Sequence, residues 1–258
     1  MVPKAQDLKQ YWFVIRQLTG RELKRRYVRS YLGIAWSVLN PLLNMIVMSL
    51  VFSAMFRGSI ELFPLYYLAG KLMWDMFDQV SQSVMSVLVD NRQLLLTVKV
   101  PKNVFVLSRC YTAFVNFLYS FAVFLLMLLF FRVRPQTTML LALVCVPMCL
   151  VFSLGMGYIL SILYVFFADI RHLYGVFLTI LVYLSALFYP ADRVPAVLQA
   201  VIYNNPVYDY IAFMRDCMIY GHVPEPGLWI RVILWGVGMY ALGSLIFRRY
   251  ENDVMIQL

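Results

Sequence analysis

Six stretches of this 258-residue chain, 33–56, 63–89, 104–131, 138–167, 172–189 and 228–247, each offer the ~20 mostly apolar residues that a helix needs to cross hydrocarbon. A backbone crossing lipid must satisfy every N–H and C=O internally, so uninterrupted runs of this kind read as helices. Charged residues make up 14% of the chain, well below the ~25% of a soluble domain, and 62% is hydrophobic. The expected fold is an all-α membrane protein of six transmembrane helices. They form one membrane domain over 1–258, with too little chain left for a soluble one. The N-terminal stretch lacks a short apolar core with a small-residue cleavage site, which predicts no removable signal peptide.

Charge sets the expected orientation. Arg21, Lys24, Arg25, Arg26 and Arg29 fall within nine positions, opposed only by Glu22, and lead directly into the first apolar run. With six spans both termini lie on one side. Placing them in the cytoplasm gathers this cluster with Arg92, Lys99, Lys102, Arg109, Arg171, Arg248 and Arg249. The outer half then balances to zero, so the whole formal charge of +9 sits inside. Basicity of this kind reports topology and contact with anionic membrane lipid, not nucleic acid. Arg132 and Arg134, in an outer loop, are a local exception.

Two segments outside the spans carry structure of their own. Over 4–29, Leu8, Tyr11, Trp12, Ile15, Leu18, Leu23 and Tyr27 recur near helical spacing opposite Lys9, Arg16, Arg21, Lys24 and Arg25. This predicts an amphipathic interfacial helix, either a snorkelling anchor or one that also docks a cytoplasmic partner. Over 190–227, five prolines punctuate apolar pieces at 195–202 and 207–220 that are too short to span. They predict short re-entrant helices dipping into the outer leaflet before the last span.

The second run is the most polar. Lys71, Asp75, Asp78, Gln82 and Ser86 share a sector of roughly 80° on a helix turning ~100° per residue. A charge at mid-bilayer costs on the order of 3 kcal/mol or more, so the stripe cannot face lipid. Either Lys71 and Asp75 pair to stitch the bundle together, or the stripe lines a route for a polar substrate. The first run carries Trp36, Asn40, Pro41 and Asn44, which a simple anchor would not need. Small residues at helical spacing, Ser153, Gly157 and Ser161 with Gly155 nearby, and Gly236, Gly238 and Gly243, predict close helix packing.

Absent motifs exclude several chemistries. There is no GxxxxGK[ST] phosphate loop, no HExxH and no GxSxG. The only histidines, His172 and His222, stand in separate loops. The four cysteines show no CxxC or Cys/His spacing, and Cys145 and Cys149 read as small core residues. No catalytic residue and no metal site is expected.

The stretch RELKRRYVRSYLGIAWSVLNPLL at 21–43 resembles the N-terminal signature of the permease subunits of bacterial ABC exporters for polysaccharides, which include exporters of O-antigen, capsule and teichoic acid. The resemblance continues through YLAGKLMW at 67–74, residues 91–101, ADIRHLYGVFL at 168–178, YNNP at 203–206 and the terminal FRRYENDV. It implies a type-2 ABC exporter permease in the bacterial cytoplasmic (inner) membrane. Such a subunit works as a homodimer with two copies of a separate cytoplasmic ATPase, which binds the ATP, so the chain itself needs no cofactor and is no enzyme. It also implies a cytoplasmic coupling helix near 91–102 and a second ATPase contact at 168–173, although the family often has Arg-Asp where this chain has Ala168 and Asp169. On this reading Arg21, Arg25, Arg92, Lys99, Lys102, Asp169 and Arg171 meet the ATPase.

The expected cargo is a lipid-linked glycan moved outward. Sugars present CH faces that stack on aromatic rings and hydroxyls that need polar partners. Trp36, Asn40 and Asn44, then Tyr66, Tyr67, Trp74, Asp75, Phe77 and Asp78, supply both, and Tyr183, Phe188 and Tyr189 extend the set near the outer end. Tyr66, Tyr67 and Tyr189 read equally well as interfacial belt residues. Two other functions stay open: an ABC permease for a drug or lipid, and a proton-coupled carrier or membrane enzyme relaying through Lys71, Asp75 and Asp78.

Overall fold

A computed structural model describes residues 5–27, 33–55, 62–97 and 100–257. In chain order its helices are α1 (Ala5–Tyr27), α2 (Trp36–Met55), α3 (Phe63–Met85), α4 (Val87–Asp90), α5 (Arg92–Thr97), α6 (Lys102–Phe130), α7 (Ala142–Phe166), α8 (Ile170–Leu184), α9 (Ala196–Tyr203), α10 (Pro206–Arg215) and α11 (Pro226–Gln257). Short 3-10 turns join several of them, and no strand occurs among the described residues. The all-helical expectation holds.

Among the described residues three helices are long and apolar enough to cross a membrane: Lys102–Phe130, Thr137–Phe166 and Pro226–Val254. They match the third, fourth and last of the six expected runs. The remaining three differ from simple spans, each for a physical reason. Val38–Phe52 and Ile170–Leu184 are apolar but shorter. The 15 residues of α8 reach ~22 Å at ~1.5 Å per residue, short of a ~30 Å hydrocarbon core. The third, α3, is long enough at 23 residues but carries Lys71, Asp75 and Asp78.

At the centre lies α7, packed most extensively on α11 and α3, while α3 also packs on α6 and α10. The small residues allow this. A Cβ on Gly243 would sit 2.1 Å from the Gly155 carbonyl oxygen, and one on Gly155 would sit 2.5 Å from the Met239 backbone. These two helices therefore meet backbone to backbone, a contact that only glycine permits. Gly157 seats Val84 of α3, and Ser153 and Ser161 are buried with their hydroxyls donating to the carbonyls of Cys149 and Tyr158. Gly236 is less tight, with an added Cβ 3.1 Å from the Met148 carbonyl oxygen. Gly238 departs from expectation: nothing lies within 4 Å of its added Cβ. It lies on a different side of α11 from the Gly155 contact.

Helix α1 docks along the first turns of α6. Thr19 Oγ1 donates to the Ser108 carbonyl at 3.2 Å, and Trp12 meets Tyr111 edge to face at 5.2 Å. At the opposite end of α3, Asn205 caps α10 by accepting from the Val207 N–H at 3.0 Å, with Pro206 at its first position. A π-helical turn, Asp216–Tyr220, extends α10, and Gly221 ends it in the left-handed region at φ 67°. The short helices expected at 195–202 and 207–220 are thus present as α9 and the extended α10.

Candidate functional site

Helix α3 turns two chemically different faces. Tyr66, Tyr67, Trp74 and Phe77 point into the protein and are buried. Phe77 stacks on Phe152 with centroids 5.6 Å apart and meets Trp74 at 6.0 Å, while Tyr67 stacks on Phe188 at 5.9 Å. In this arrangement the four rings belong to the core, and no glycan could reach their faces.

The other face is half-buried and polar. Lys71 Nζ donates to Asp75 Oδ1 at 2.5 Å, and Gln82 Nε2 donates to Asp78 Oδ1 at 2.6 Å. The Lys71–Asp75 pair forms as its spacing allows, but within one helix, so it offsets the charge of Asp75 and not that of Asp78, and it does not stitch helices together. Trp36, Asn40 and Asn44 are exposed on α2, where Asn44 Nδ2 donates to the Asn40 carbonyl at 2.8 Å. Tyr183 is exposed on α8, and the half-buried Tyr189 donates its hydroxyl to the Tyr183 carbonyl.

At the end of α3 that leads into α4, a charge network ties three elements together. Arg109 of α6 bridges Glu22 of α1 and, at 3.1 Å, Asp90 of α4. Ser86 donates to the same Asp90 at 2.8 Å, and Arg21 donates to Asn91 Oδ1 at 3.4 Å. Beside this network a cavity of about 540 Å³ opens between α3 and α6, reaching up to Asp78, Gln79, Gln82 and Asn116. Arg92, Asp169 and Arg171 are exposed at this end, and Arg171 borders the cavity. Lys102 is placed differently from a free surface cation, because it donates to the Glu251 carbonyl of α11. The Arg25 side chain and Lys99 lie outside the described residues.

The α10 end holds a feature that sequence reasoning missed. Arg215 is 3% exposed. Its guanidinium lies 3.5 Å from the Tyr66 ring centroid and donates to the Tyr66 hydroxyl at 2.8 Å and to the carbonyls of Ala186 and Leu187, each at 3.1 Å. The Tyr66 hydroxyl donates on to the Tyr189 carbonyl at 2.8 Å, and Asn205 Nδ2 reaches the Leu184 carbonyl at 3.1 Å. Ala186 adopts a left-handed φ of 46°, so α8 stops here and its last carbonyls need outside partners. Asn205 takes the last of these, that of Leu184, while Arg215 and Tyr66 hold the turn that follows through the carbonyls of Ala186, Leu187 and Tyr189. The available signal was an arginine inside a short, mostly apolar helix, which must find partners on folding. Asn116, in mid-α6, carried the same kind of signal.

Residues 14–219 match the family described as ABC-2 type transporter. The chain is similar to the O-antigen export system permease protein RfbA of Myxococcus xanthus, 32% identical over 75% of each chain. A protein of that same name from Klebsiella pneumoniae is 25% identical over 91% of this chain and 92% of its own. The polysialic acid transport protein KpsM of Escherichia coli is 20% identical over 93% and 95%. The family match begins within α1 and ends in the π-helical turn after α10, so it takes in the polar face of α3, the charge network and the Arg215 cluster together. This chain belongs to the ABC-2 type transporter family.

Proposed function

We propose that this chain is the membrane permease of an ATP-driven exporter that carries a lipid-linked polysaccharide, of O-antigen, capsule or teichoic-acid type, outward across the cytoplasmic membrane. The observation that carries this reading is the nearly end-to-end correspondence with an O-antigen export permease. Six helices cross the bilayer in this reading, α2, α3 and α8 joining the three longest. Both termini are cytoplasmic, α1 rests on the inner surface, and α9 and α10 dip into the outer leaflet.

A second copy completes the pathway. The Trp36, Asn40 and Asn44 face of α2 and the Lys71, Asp75 and Asp78 face of α3 are too polar to remain against lipid, so each faces a partner copy or an aqueous path. Tyr183 extends that path outward, and the buried rings of Tyr66, Tyr67, Trp74 and Phe77 form the wall behind it. ATP is bound and hydrolysed by a separate subunit that grips α5 through Arg92, the turn at Asp169 and Arg171, and Arg21.

Removing the chain from its host should abolish surface glycan and leave lipid-linked glycan inside the cell, and restoring the chain should reverse both. Normal surface glycan in its absence would overturn the reading.

A further inference from the structure

Helix α5 meets the ATPase in the export reading, on which this inference rests, and only Asn91 separates it from α4. A shift of α5 therefore reaches Asp90, the last residue of α4, directly. The Asp90 carboxylate accepts from Ser86 at 2.8 Å and from Arg109 Nη2 at 3.1 Å. Nη1 of the same guanidinium holds Glu22 of α1. Both carboxylates are partly open to solvent, 45% for the Asp90 side chain and 34% for that of Glu22, so these pairs are exchangeable.

One arginine thus serves two carboxylates, and they compete for it. Glu22 and Asp90 line one space of about 450 Å³ with Arg21, Asn91 and Arg109, where like charges repel. Arg21, the other cation there, donates to the neutral Asn91 at 3.4 Å. If Asp90 moves away, the repulsion fades and Arg109 offers both nitrogens to Glu22, in the two-point geometry that makes arginine–carboxylate pairs strong. Near Glu22, hydroxyls also hold α1 to α6: Thr112 donates to Thr19 at 3.3 Å, and Thr19 to the Ser108 carbonyl at 3.2 Å. An end held this way tightens or loosens with the strength of the Glu22 pair.

We propose that Arg109 is a positioning residue for which Glu22 and Asp90 compete, so that an ATPase drawing α5 away tightens α1 onto α6. Coupling of this kind needs an element with two arrangements that both sites bias, and α1, tight or loose on α6, is that element. Glu22 and Arg109 also border the cavity between α3 and α6, so its rim tightens with α1. A plain structural staple would behave differently, because loss of either carboxylate would then loosen α1.

The test uses the permease with its ATPase in lipid nanodiscs. Thr19 is 4% exposed and bonds to α6, so Thr19→Cys supplies a thiol that reacts when α1 loosens. The four native cysteines are buried, and the chain without Thr19→Cys gives the background. The reagent is a charged methanethiosulfonate, applied to the nucleotide-free complex and to the complex trapped with ATP and vanadate. Trapping should slow labelling about fivefold, the effect of one partly exposed ion pair. Asp90→Asn should label slowly in both states, and Glu22→Gln should label fast in both. Fast labelling in Asp90→Asn, or a rate that ignores nucleotide when both carboxylates are present, overturns the proposal. If removing the whole chain stops export yet Asp90→Asn labels fast, only the link through Arg109 fails, and the export reading stands.

Discussion

Arg109 and Arg215 hold the two ends of this helix bundle by different means. Arg109 keeps 17% of its side chain exposed and bridges two partly exposed carboxylates on α1 and α4. Arg215 is almost wholly enclosed and is held by backbone carbonyls and a tyrosine. Ion pairs in contact with solvent contribute ~0–1 kcal/mol each and exchange readily. Buried hydrogen bonds from a charged group contribute about 1.5–3 kcal/mol each and leave unpaired acceptors behind when broken. The α1 end is therefore built to rearrange, and the α10 end is built to stay shut.

The contrast can be broken most easily at Arg215. Arg215→Leu removes the partners of the Ala186 and Leu187 carbonyls and should destabilise the purified permease by on the order of 4 kcal/mol, read as a large loss in Tm in detergent. Arg215→Lys, lacking the planar fork, should recover only part of it. A wild-type Tm for the leucine variant would end the distinction between the two arginines.

A smaller effect is expected at Gly70, where a Cβ would stand 2.7 Å from both Arg215 Nη2 and Leu187 Cδ1. Because that guanidinium is anchored on several sides, it has little freedom to yield. Gly70→Ala should lower stability by about 1–3 kcal/mol in the same assay. If it is tolerated, the Arg215 cluster is looser than its geometry indicates.

The smallest effect belongs to Arg109. Arg109→Gln should change stability by less than ~1 kcal/mol, and added salt should shrink even that difference. A loss as large as that of Arg215→Leu would show the α1 end to be as rigid as its counterpart.

Much of the architecture could be read from the chain. The runs behind α6, α7 and α11 are long and apolar, and the prolines bracketing α9 and α10 are local signals. The i, i+4 pairing of Lys71 with Asp75 is local too, and it formed. The candidate site was legible only in part. The polar stripe of α3 was found, but Tyr66, Tyr67, Trp74 and Phe77 were expected beside it and are buried behind it. In a soluble protein an apolar stripe marks the inward face of a helix. Here lipid is as apolar as the core, so the exposed Leu129 and the buried Leu65 look alike in sequence. Which way a helix is rotated is then weakly encoded along its own length.

The sequence by itself determined that this chain is helical and membrane-embedded, because backbone hydrogen bonding in lipid acts locally. Only the tertiary structure decided that Arg109 meets Glu22 and Asp90, that Arg215 holds the turn after α8, and that Asn116 borders a cavity. Those contacts join residues far apart in the chain, and they depend on how packed helices are turned against one another. That rotation is set by glycine contacts such as Gly155 against Gly243 and by the need of each buried polar atom for a partner.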